Sequence, residues 1–159
     1  MLQAIAFSAL ACHVQGTVLV LEQSRSSQQF GCIALFENRF ELSFIHSVSL
    51  TTVFDAYQVT GNKNDYRMVQ TQERFSAHGQ GLPSLVDEPD SIAFESIDGQ
   101  FILSLNRPIH HLIVRTDKRF KNRLYTGAEQ YNLNQWPDTG ISVVIRDQCP
   151  STLKFLAKN

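Results

Sequence analysis

Four side chains in the first half of the chain are of types that could do chemistry together: His46, Ser47, Asp55 and His78. Ser47 as nucleophile, His78 as base and Asp55 as the orienting carboxylate would make a hydrolytic triad. The two imidazoles with one carboxylate would equally suit a transition metal. Either arrangement needs convergence in space that the spacing alone does not supply. A second source of chemistry is backbone. In His78-Gly79-Gln80-Gly81-Leu82-Pro83, Gly79 and Gly81 are free to take positive φ, so their N–H groups could cradle a carboxylate or phosphate with His78 at the rim. The same string also reads as a tight crossover whose exit Pro83 directs.

These readings meet simpler ones. His46 closes an apolar strand face, a place more often held by a histidine bonded to backbone than by a ligand or base. His110 and His111 are adjacent, so on a strand they point to opposite faces and cannot chelate one ion together. No GxSxG elbow, HExxH helix, P-loop, dinucleotide fingerprint or CxxC pair occurs. The expectation is therefore no catalytic residue, no cofactor and no metal, with His46, Ser47, Asp55, His78, Gly79 and Gly81 as candidate binding residues. The alternative is a small hydrolase or metal-dependent enzyme centred on His46, Ser47, Asp55 and His78.

The elements that must position these residues follow a period of two. Phe40, Leu42, Phe44 and His46 share one strand face, and Val53, Asp55, Tyr57 and Val59 share another. The polar run Thr60 to Asp65 turns the chain into a returning strand over Tyr66 to Phe75. Asp98-Gly99, between Ser91 to Ile97 and Gln100 to Leu105, is the strongest hairpin signal present. Thr17 to Glu22, Ile109 to Thr116, Arg123 to Thr126 and Gly140 to Arg146 read as further strands. Turn signals this regular, without long 3.6-residue periodicity, predict an all-β fold: a single antiparallel β-sandwich or barrel-like domain with hairpin connections.

With 159 residues, 43% hydrophobic and 18% charged, the chain is long enough to bury one core. A net charge of −1 argues against nucleic acid as a partner. The basic run Arg115 to Arg123 reads as a solvated hairpin end. No charge occurs before Glu22, and Ala4 to Ala11 forms a short apolar core ending in small residues, like the last part of a signal peptide. Residues 1–16 are thus expected to be the remnant of a signal or membrane segment, 17–146 the β domain and 147–159 a C-terminal tail. The domain is expected to be periplasmic, or membrane-associated on the extracytoplasmic side. Of three cysteines, Cys12 lies in the export-like segment, leaving Cys32 and Cys149 to pair as a disulfide or to sit as apolar thiols.

The order Phe44-Ile45-His46-Ser47-Val48, then Asp55 and Tyr57, Phe75-Ser76, and Gly79-x-Gly81-Leu82-Pro83 resembles the bacterial family known as domain of unknown function 1850. The resemblance runs from about Thr17 to Arg146. It implies a small extracytoplasmic domain behind an N-terminal hydrophobic segment, often encoded beside TRAP transporters of the TAXI type, which import organic acids and amino acids. It implies as partners a transporter membrane subunit or solute-binding protein, and a small organic anion as ligand. The chain has Ser49, Thr52 and Asp55 where that family commonly has an acid, a proline and a glutamate.

Overall fold

The structure, a computed structural model, describes residues 16–26, 28–63, 65–77 and 88–158. Among these residues eleven strands run in chain order: β1 (Val18–Gln23), β2 (Gln29–Ala34), β3 (Arg39–Ile45), β4 (Thr52–Thr60), β5 (Arg67–Phe75), β6 (Ser91–Ile97), β7 (Gln100–Ile109), β8 (Leu112–Arg115), β9 (Arg123–Thr126), β10 (Glu129–Asn132) and β11 (Gly140–Arg146). They form two antiparallel sheets, one ordered β2-β1-β11-β8 and the other β10-β9-β3-β4-β5-β7-β6. Of the sandwich or barrel-like all-β fold read from the sequence, the structure has the sandwich-like form, with no closed barrel among the described residues.

One core joins the sheets. Leu19, Leu21, Ile33, Val114, Ile141 and Val143 of the smaller sheet pack against Phe40, Leu42, Tyr57, Val59, Met68, Leu124 and Tyr131 of the larger. Alternation supplies this: each strand sends every second side chain inward. Strand β1 departs from it, with Val18, Leu19, Val20 and Leu21 all buried. Its second face meets Cys32, Val144, Cys149 and Leu153, because the chain after β11 returns across the small sheet. Cys149 is bonded to Cys32 in a disulfide with Cα atoms 5.8 Å apart. Beyond it, the Cys32 N–H donates to the Lys154 carbonyl (3.0 Å) and the Leu156 N–H to the Cys32 carbonyl (2.9 Å), so the tail adds a short parallel bridge to β2.

The Asp98-Gly99 hairpin forms as expected. Both residues have positive φ (51° and 78°), the backbone that matches the right-handed twist of two paired strands. The boundary between β7 and β8 differs from the sequence reading, which ended one strand at Leu105 and began the next at Ile109. Strand β7 continues through Asn106 and Pro108 to Ile109, and the break falls at His110-His111, which are both exposed in the connection to β8. Pro108 is tolerated there because β6 pairs with β7 only as far as Leu105, and position 108, like Asn106, turns its backbone nitrogen to that side, where the ladder needs no donor. The basic run forms a short 3₁₀ turn, Lys118–Phe120, between the two sheets. Its cap Asp117 accepts from the Arg119 N–H and guanidinium, and those bonds hold the carboxyl down at about 2.

Candidate functional site

His46 and Ser47 stand just beyond β3, in the turn that leads to β4. The His46 N–H donates to the Thr51 carbonyl and the Leu50 N–H to the His46 carbonyl, closing the turn on itself. The imidazole completes it. Its Nδ1 accepts from the backbone N–H of Ser49 (3.2 Å) and of Val48 (3.4 Å), and lies 3.2 Å from the Ser49 hydroxyl. A ring nitrogen that accepts from two backbone donors is holding a loop, and the hydroxyl it meets, that of Ser49, belongs to the same loop and is itself 2.9 Å from the Thr51 hydroxyl. Ser47 itself is exposed, and the turn carries Val48 and Leu50 outward, Leu50 with φ at +55°.

Asp55 lies elsewhere. It is paired with Leu42, four positions before His46 on β3, which puts it about 13 Å along the ladder from the histidine at roughly 3.3 Å per residue. The described residues therefore bring Ser47 and His46 together only as chain neighbours, and Asp55 with neither. His78, Gly79 and Gly81 lie outside the described residues. Among the described residues, no three His, Cys, Asp or Glu side chains are grouped to hold a metal ion.

Around Asp55 the structure assembles a different set of groups. On the inward face of the large sheet, Asp55 Oδ2 accepts from the Tyr57 hydroxyl (3.4 Å) and Oδ1 from the Gln70 amide (3.1 Å). Gln70 is itself buried, and its Oε1 accepts from Arg107 Nη1 (3.3 Å). Arg107 Nη2 reaches the Pro89 carbonyl (3.2 Å) and, at 3.7 Å, the Glu88 carboxylate, just ahead of β6. Glu73 sits directly opposite Asp55 in the β4–β5 ladder. Tyr57 anchors the set to the core, its ring stacked on Phe40 at 4.8 Å between centroids.

The electrostatics follow from burial. Loss of water around Asp55, then the charge of Glu73, raise its carboxyl to about 7, against the pull of Tyr57, Gln70 and Arg107. Burial also lifts Glu73, with Glu88 adding to it and Arg107 opposing. Tyr57 is pushed up by burial and by Asp55, which keeps its hydroxyl a donor. The cluster can hold or release a proton near neutrality, and it has one guanidinium to balance three carboxylates. Among the described residues it presents no activated nucleophile.

Sequence reading singled out Asp55 but not Gln70, Glu73 or Arg107. A signal for two of them is present in β5. Met68 and Phe75 are both buried although an odd number of positions separates them, which a regular strand forbids. An irregularity must lie between, and it does: the β4–β5 register shifts so that Gln70 opposes Tyr57 while Gln72 opposes Ala56. Gln70 and Glu73 thereby face the same side.

No curated protein and no solved structure matches this chain. A family model does match over residues 40–133, more than half of the chain, from the start of β3 to just past the end of β10, and that span contains His46 and every residue of the Asp55 cluster. The chain belongs to the family described as Domain of unknown function (DUF1850).

Proposed function

We propose that this protein is a non-catalytic extracytoplasmic accessory or binding domain that works with a TRAP-type transporter of the TAXI class. The observation that carries the non-catalytic half is the separation of the candidate groups: the His46 Nδ1 holds its own turn, and Asp55 stands about 13 Å along the ladder from that turn, too far for one imidazole to bridge Ser47 and Asp55 as a triad would need. The compartment is supported by the Cys32–Cys149 disulfide, since such bonds persist where thiols are not kept reduced. Family membership supports the transporter association through the gene neighbourhood that the resemblance implies. The partner is a transporter membrane subunit or its solute-binding protein, and the solute class is a small organic anion.

The test is affinity capture of the tagged full chain from membranes that contain the transporter, with and without candidate organic acids. Recovery of the membrane subunit or the solute-binding protein is expected. Absence of both under every condition overturns the accessory role, and turnover of an ester or amide substrate lost in Ser47→Ala would overturn the non-catalytic one.

A further inference from the structure

We propose that Asp55 and Glu73 form a carboxyl pair whose proton occupancy sets how firmly Arg107 holds the residues leading into β6. The geometry is a cross-strand pair: positions 55 and 73 are directly opposed on the inward face, so their Cβ atoms stand about 5 Å apart. Two half-buried carboxylates at that separation cannot both ionise without cost, and the pair titrates as a unit.

The groups facing the pair among the described residues come from β4, β5, β7 and the residues ahead of β6. Strand β4 contributes the Tyr57 hydroxyl, β5 the Gln70 amide and β7 the Arg107 guanidinium, with Glu88 ahead of β6. The ladder partner of Asp55 on β3 is Leu42, and that of Glu73 on β7 is Leu103, both apolar. One cation thus serves three acids. With a proton on the pair, Arg107 is free to tie Glu88 and the Pro89 carbonyl to the sheet. When the proton leaves, the added charge beside Gln70 draws the guanidinium toward Asp55 and Glu73, and the tie to Glu88 and Pro89 slackens. Gln70 links the two ends, because its amide donates to Asp55 while its oxygen accepts from Arg107. The placement of Asp55 at about 7 sets this exchange near neutral pH.

The readout is local. The Ser91 N–H donates to the Glu88 carbonyl and the Asn106 N–H to the Asp90 carbonyl, so amide exchange at 91 and 106 reports on the tie. After correction for the intrinsic pH dependence of exchange, protection of both amides should fall by about tenfold between pH 5.5 and 8.5, the effect of roughly one pKa unit of coupling. The change should share its midpoint with the Asp55 side-chain carboxyl in a carbon-detected NMR titration. Asp55→Asn should abolish the pH dependence, and Glu73→Gln should keep it while lowering the midpoint. Glu88→Gln should lower protection at every pH and also lower the midpoint, because a tie that depends on the pair's proton acts back on that proton and the freed guanidinium favours the ionised pair. An Asp55 carboxyl that titrates in the ordinary aspartate range overturns the proposal. So does protection at 91 and 106 that is flat with pH, or unchanged in its pH dependence by Asp55→Asn.

Discussion

Asp55 faces Glu73 across the β4–β5 ladder, on the side of the sheet that is turned away from solvent. Two acids in register are unfavourable unless one keeps its proton, and the folded state meets that condition by raising Asp55 from 3.8 to about 7. A raised carboxyl has a definite consequence for stability. Between about pH 4 and 7 the folded chain keeps a proton that the unfolded chain releases, so stability falls as pH rises through that window and is level above it. The full effect is about 4 kcal/mol at most, at 1.36 kcal/mol per unit, and Glu73 acts in the same direction. We expect urea denaturation to show Asp55→Asn more stable than the parent at pH 8 and closer to it at pH 5. Parallel pH curves for the two proteins would contradict this.

A second expectation concerns the His46 turn. Replacing His46 with Ala leaves the Val48 and Ser49 N–H groups without their acceptor and should cost about 1 kcal/mol, because the turn is half-exposed and water can substitute. Asn at this position places an amide oxygen near the site of Nδ1 and should recover most of the loss. Thermal unfolding of His46→Ala and His46→Asn decides it: equal loss in both would mean the ring acts through packing, and no loss in either, with transporter-dependent uptake abolished, would make His46 a functional contact.

Much of this architecture can be read in the chain because period-two burial and turn chemistry are local. Phe40 and Leu42, or Val53, Tyr57 and Val59, announce their faces, and Asp98-Gly99 announces its hairpin. What escapes reading is non-local. Strand β2 contains Gly31 and Cys32, poor strand signals by themselves, and its outer edge is paired by a tail more than a hundred residues later. The Asp55 cluster depends on an irregularity in β5 that shifts Glu73 to the inner face, so its members do not share a period. His46 and Asp55 are near in sequence, yet the antiparallel return carries Asp55 away from the turn, and only the paired register reveals that.

The disulfide should be a large share of the stability. Cys32 and Cys149 close a loop with a sequence separation of 117, for which removal is expected to cost roughly 2–5 kcal/mol, toward the upper end because the loop is long. Denaturation with and without a phosphine reductant measures this, with Cys149→Ser as the genetic equivalent. A midpoint that does not move on reduction would show that the tail is held by packing and the Lys154 and Leu156 backbone bonds instead.

Gly31 tests how closely that tail must approach. A Cβ added there would come within 2.5 Å of Leu156 Cδ2 and 3.1 Å of the Lys154 carbonyl oxygen, so Gly31→Ala must displace the segment that bonds to Cys32. We expect a loss of about 1–3 kcal/mol, the usual cost of forcing atoms into a packed site. Leu156 packs against the main core, so Leu156→Ala also destabilises, but it removes the side chain that the new methyl would strike. The double variant should therefore lose less than the sum of the two, a coupling that a double-mutant cycle in urea reads directly. Simple additivity would mean that the carbonyl of Lys154, rather than the leucine, sets the limit, and that Gly31 is required by the backbone of the clasp itself.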